Sequence, residues 1–220
     1  VRRMHINDHS WVHVQVVANI ALKLLRDLVR KGAVPSVVRD YGMRQEDAEV
    51  VVVLGALWHC TGMAVHRRGH EDWSLFITAN GLPRMLEGLY EEPERTVVIA
   101  EVLHTINGHR SDGEPLTLEA GVVRVADALD MAKGRSRIPF AEGSVSIHAL
   151  SAQAIERVSL KDGSDRPVLV EIEMTNSAGI FQIDELLRKK IKGSGLEEWL
   201  EVVGRIEGDN EKLLVPLVRL

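Results

Sequence analysis

The stretch Leu54-Gly55-Ala56-Leu57-Trp58-His59-Cys60-Thr61-Gly62-Met63 ends an apolar run on a histidine beside the chain's single cysteine. Its upstream part, from Glu46, opens with acidic residues suited to a helix N-terminus, while Val50-Val51-Val52-Val53 has strand character. Length and the Gly55-Ala56-Leu57-Trp58 continuation favour a buried helix over Glu46 to Cys60. Working outward, Val12, Val16, Ile20, Leu24 and Leu28 recur every fourth position between Ser10 and Arg30, widened by Val17 and Leu25, and Gly32 ends the pattern. A short helix follows over Val34 to Asp40. Further helices are predicted from Glu71 to Tyr90, with Gly81 and Pro83 as weak points, from Pro93 to Ile106, and from Leu118 to Ala132.

The pattern changes after Gly134. Ile155 to Leu160 and Val168 to Met174 alternate apolar and charged residues across the turn-forming Lys161-Asp162-Gly163-Ser164, as an antiparallel hairpin does. Ile180, Ile183, Leu186, Leu187 and Ile191 have helical spacing that stops at Gly193-Ser194-Gly195. Leu200 to Ile206 and Leu213 to Leu220 flank Gly208-Asp209-Asn210 as a second hairpin. The fold class is therefore mainly α: a helical bundle over residues 1–138, then a small α+β domain with an antiparallel sheet over 139–220, helices covering one face.

Composition narrows the function. At about 150 residues per domain, 220 residues make one large or two small domains. The 45% hydrophobic and 27% charged fractions are those of a folded globular chain, not a disordered or fibrous one. Net charge is −5, and neither the part before Ser136 nor the part after it is net basic, which argues against nucleic acid as a bulk ligand. One cysteine forms no internal disulfide. With no signal-peptide pattern and no apolar run read as membrane-spanning, a cytoplasmic protein with no membrane partner is expected.

Histidine is the unusual entry in the composition: nine residues, against three Phe and two Tyr. His5, His9, His13, His59, His66, His70, His104 and His109 fall in the first half, and only His148 lies beyond it. Imidazole is the commonest metal ligand. His13, His59, His70, His104 and Asp127 sit on different predicted helices or helix ends, the arrangement by which ligands converge inside a bundle. Asp127 is flanked by Val125, Ala126, Ala128 and Leu129, where an unpaired carboxylate is expensive to bury. A metal or Arg124 has to compensate it, and Asp130 is read as the partner of a nearby arginine.

His13, the segment around His59, then His66, His70, His104 and Val123-Arg124-Val125-Ala126-Asp127-Ala128-Leu129-Asp130, taken in order, resemble the HD superfamily of metal-dependent phosphohydrolases over roughly Asn7 to Arg137. The resemblance implies an HD-type bundle and one or two divalent transition-metal ions, iron, manganese, zinc or cobalt. On it, His13, His59 and Asp127 bind a first metal, and His70 and His104 complete a second site. His66 and His109 become candidates for substrate protonation or outer contacts, and Lys133, Arg135 and Arg137 for a cationic clamp on phosphate, for which guanidinium geometry is suited.

The chain departs from the family where Cys60 replaces the aspartate of the His-Asp pair. A thiolate is also a ligand and can bridge, binding at about 2.3 Å and favouring zinc or iron over magnesium or manganese. Equally, Cys60 is a buried inert thiol, the common state of a free cysteine. Plain readings stand beside the other residues too: His13 on a helix flank, His70 at a helix N-terminus, His104 satisfied by a carbonyl, the Arg135 cluster as a solvated linker. Two functions follow. One is hydrolysis of a phosphomonoester or phosphodiester bond in a small molecule, a nucleotide being the expected substrate; the other is a catalytically impaired metal- or nucleotide-binding regulator. The open edges of the sheet also make a homodimer an expectation.

Overall fold

The computed structural model describes residues 9–110, 112–132, 147–206 and 217–219. The bundle consists of α1 (Trp11–Arg30), α2 (Ser36–Tyr41), α3 (Gln45–Trp58), α4 (His70–Met85), α5 (Glu94–Gly108) and α6 (Leu118–Leu129), with a 3-10 turn at Thr61–Ala64 between α3 and α4. Ser10 caps α1 by accepting from the Val12 amide, and Thr117 caps α6 through the Ala120 amide, each satisfying a donor that the first helical turn leaves open.

The buried face of α1 is not centred on the every-fourth-residue series. Val12 and Val16 are exposed, and the core face carries His13, Val17, Ala21, Leu24 and Leu28. Each four-residue step on a helix of 3.6 residues per turn advances the face by about 40°, so a series begun at Val12 has rotated well away by Leu28. That phase carries His13 into the interior.

Helix α3 packs against α1, α5 and α6. The stretch Gln45–Ala64 is long and apolar enough to cross a membrane, contrary to the sequence reading of no such run. Half of its most apolar window is buried within the protein, and Ala48, Val51, Val52 and Ala56 are fully enclosed, so the same apolarity serves a core helix.

The C-terminal part begins with α7 (Ile147–Gln153). Strands β1 (Ile155–Asp162), β2 (Val168–Met174), β3 (Leu200–Ile206) and β4 (Leu217–Arg219) lie in that order in one sheet. The pairs β1/β2 and β3/β4 are antiparallel, but β2 and β3 run parallel, so the sheet is mixed where a wholly antiparallel one is predicted. The reason is the connection: a 3-10 turn, the π-helical turn Gln182–Leu187 and α8 (Arg188–Ile191) cross over between them and return the chain in the same direction. Val168, Val170, Ile172 and Met174 point from β2 into a core that also holds Ile183, Leu187 and Leu196 and is continuous with the bundle's Val122, Leu129 and Met131. The predicted boundary between residues 138 and 139 lies outside the described residues.

Candidate metal centre

Two close helix contacts build the site. A Cβ on Gly55 would lie 1.9 Å from Thr105 Oγ1, so glycine there lets α3 and α5 approach, setting the ends that carry His59 and His109 side by side. A Cβ on Gly62 would lie 1.9 Å from the His70 carbonyl oxygen. Its absence lets the turn after Cys60 close on α4, where the Gly62 amide donates to Ser74 Oγ at 2.8 Å and His70 comes beside Cys60.

His13, His59 and His109 are all buried, and each has its Nδ1 engaged. His13 Nδ1 bonds Asp130 Oδ2 at 2.6 Å, His59 Nδ1 bonds the Ala56 carbonyl at 2.6 Å, and His109 Nδ1 bonds the Ile106 carbonyl. Carbonyls and carboxylates only accept, so each Nδ1 carries a hydrogen, and in the neutral ring Nε2 offers its lone pair. His13 Nε2 stands 3.2 Å from His59 Nε2, and both face Asp127 Oδ1, at 3.5 and 3.6 Å. The rings of His59 and His109 are 4.9 Å apart.

Ligand atoms of His59, His109 and Asp127 lie within 4.8 Å of one another, as do those of His13, His59 and Cys60. Converging buried ring nitrogens and a carboxylate are compensated by a metal ion held between them or by a proton on an imidazole. Imidazoles locked through Nδ1, with a carboxylate and a thiol at hand, make a donor set that fits a borderline divalent ion such as zinc or iron.

Proton affinities express the same demand for positive charge. Burial opposes charging His59, yet the Cys60 thiolate and Asp127 beside it raise its pKa far above the ordinary histidine value. Burial pushes the Cys60 thiol up, but His59, with His13 and His70 also in hydrogen-bonding reach, brings it well below the usual range. Burial, then repulsion from His59 and Lys190, lowers His109 to about 3, which keeps its imidazole neutral as a ligand must be.

The predicted site residues separate into groups. His13, His59, Cys60 and Asp127 come together, and His70 joins at the Cys60 side, its Nδ1 3.0 Å from the Arg67 carbonyl and 3.2 Å from Glu71 Oε2. His104 is not among the clustered ligands: its Nε2 accepts the Leu116 amide at 2.9 Å. The α5 histidine that reaches the cluster is His109, predicted as an outer group. Five residues along a helix turn the side chain by about 140°, so the two cannot share a face. His66 is exposed, its Nδ1 accepting the Arg68 amide at 3.0 Å, and lines a cavity of about 500 Å³ with Arg67, Arg68 and His70. Lys133, Arg135 and Arg137 lie outside the described residues.

Asp130 and Arg124, both read in the sequence, make contacts it did not specify, and Lys190 was missed. Asp130 Oδ2 pairs with His13 Nδ1. Arg124 donates to the carbonyls of Gly108, Arg110 and Gly113 after α5 and to those of Lys189 and Lys190 on α8. It thereby fixes the backbone around His109 and brings in Lys190, whose Nζ is 3.4 Å from Asp127 Oδ2 and also donates to the His109 carbonyl. Nothing in the sequence marks Lys190, since it comes from the C-terminal part. Arg67 and Arg68 were also missed; the signal for them is a basic pair between His66 and His70.

Comparison with known proteins agrees with the geometry. The family described as HD domain matches residues 9–132. An uncharacterized protein of Methanocaldococcus jannaschii is 42% identical over 207 residues, covering 94% of this chain and 80% of its own length. No solved structure gives a significant match.

Proposed function

The chain belongs to the HD domain family, and on that premise we propose that it is a metal-dependent phosphohydrolase acting on a phosphomonoester or phosphodiester bond of a small molecule. The observation that carries the reading is the convergence of His13 and His59 Nε2 on Asp127 Oδ1, with a ligand atom of His109 within 4.8 Å of those of His59 and Asp127 and each ring held through Nδ1. These four residues, with Cys60, would hold the metal. A divalent ion supplies Lewis acidity toward water and a phosphate oxygen when bound there.

The protein's own groups do the rest. Asp130 and the Ala56 and Ile106 carbonyls hold the imidazoles in one orientation, so none of the ligands has to reorganise. Lys190 sits on the Asp127 oxygen Oδ2 and leaves Oδ1 to the histidines. Arg67, Arg68 and His66, lining the cavity beside His70, offer donors to a phosphate. His66, at the exposed end, is the candidate for protonating the leaving group.

The test is elemental analysis of the purified protein with hydrolysis of a panel of nucleotides, phosphomonoesters and phosphodiesters under added iron, manganese, zinc or cobalt. Bound metal and turnover of at least one ester are expected; no metal and no turnover under every condition overturns the reading. One observation favours a second reading, a regulatory protein: a thiol stands where the family places a carboxylate. Creation of activity by Cys60→Asp in an otherwise inactive protein supports that reading, whereas loss of existing turnover and metal in Cys60→Ala supports the enzyme.

A further inference from the structure

A second cavity, of about 450 Å³, adjoins the ligand cluster on the opposite chemical footing from the one lined by Arg67 and Arg68. Among the described residues its apolar lining is Trp11, Val14, Leu54, Leu57, Trp58 and Met85, and no lysine, arginine or carboxylate takes part. Cys60 belongs to its wall and also to the cluster with His13 and His59, so the cavity opens directly beside the candidate centre. His9 lines both cavities, and its ring is 5.3 Å from that of His13.

Two of the chain's four tryptophans are placed here, and Trp11 is 65% exposed and Met85 47%. Large apolar side chains held open to water at a concave site mark a surface built to be covered. The volume is in the range of a small-molecule pocket, roughly 300–1,000 Å³. A nucleobase edge needs several fixed donors and acceptors; this lining offers few.

Resting on the phosphohydrolase reading, we propose that the cavity beside Cys60 binds the organic group of the phosphate ester, and that this group is aryl or hydrocarbon-like, while the phosphate lies toward Arg67 and Arg68. A phosphate ester has one anionic and one organic end, and the two cavities that meet at His9 divide in the same way. The cavity thus sets specificity through apolar burial, and the candidate centre supplies the chemistry.

The test is calorimetric binding of phenylphosphonate and methylphosphonate to the full chain loaded with zinc, with a nucleoside 5′-monophosphate as competitor. Burying the extra carbons makes phenylphosphonate bind at least about tenfold more tightly than methylphosphonate. Trp11→Ala, at an exposed position that the fold tolerates, and Leu57→Trp, which fills the cavity, both lower that ratio. Equal binding of the two phosphonates, or tighter binding of the nucleotide than of phenylphosphonate, overturns the assignment and leaves the phosphohydrolase reading standing. If no phosphonate binds and no ester is hydrolysed, both fall. An unchanged ratio in the two variants, accompanied by a change of mass in light scattering, makes the cavity a contact between copies of the chain and also overturns it.

Discussion

Helices α5 and α6 carry two polar clusters. In one, Glu119 at the start of α6 accepts the Ser36 and Val37 amides at 3.1 and 3.0 Å, and His104 on α5 accepts the Leu116 amide. In the other, His109 and Asp127 meet His13 and His59, and ring nitrogens and a carboxylate oxygen turn toward one another. Residue types are similar in the two places, although His104 is half-buried where His13, His59 and His109 are enclosed. The difference is in the partners: Glu119 and His104 close on backbone N–H groups, while the second cluster sets ring nitrogens, a thiol and a carboxylate within ligand distance of one another. A buried histidine and carboxylate therefore become a candidate metal site only when local donors do not already use them.

The largest expected effect breaks that contrast at its centre. His59→Ala removes the group common to both ligand sets, and elemental analysis should show loss of bound metal together with loss of hydrolysis. His104→Ala, on the same reasoning, retains both. If the two variants lose metal equally, the distinction between the clusters fails.

Next in size is the Glu119 cluster. Glu119→Ala leaves the Ser36 and Val37 amides buried without their acceptor, at a cost of about 1–3 kcal/mol for each such group. Chemical denaturation should register the loss while metal content per folded molecule stays as in the parent. Asp130→Asn keeps the shape but weakens the acceptor behind His13, and metal affinity should fall by about 10–100-fold, as for other outer partners of ligating histidines. A chelator competition titration measures it.

The smallest effect concerns Glu101, buried on α5 with Oε2 unpartnered among the described residues. Burial, then the charges of Glu119 and Asp40, raise its pKa. The folded state then binds more protons than the unfolded one between the two pKa values, so stability falls as pH rises through that window. Glu101→Gln removes the penalty. Its Tm should exceed the parent's at pH 8 by a few degrees, since 1 kcal/mol corresponds to about 2–4 °C in a chain of this size, and the two should converge near pH 4. A constant difference at all pH values would assign the effect to packing.

Much of the fold is legible in the sequence, because helix periodicity and capping are local. Six bundle helices and the alternating strands follow from spacing and turn residues. The phase of α1 was less legible, since the four-residue repeat drifts around the helix and only packing selects the face that carries His13. The parallel pairing of β2 and β3 depends on how the crossover returns the chain, which strand alternation does not encode.

For the candidate site, the sequence by itself determined the histidine supply, the ordered series ending in Ala126-Asp127-Ala128 and the substitution at Cys60, because residue identity and order are all that a resemblance needs. Tertiary structure alone decided that His109, not His104, faces His59, and that Asp130 and Lys190 are the partners of His13 and Asp127. The physical reason is that a ligand is defined by which lone pair remains after the surrounding donors and acceptors have been satisfied. Those neighbours come from residues up to 117 positions apart in the chain.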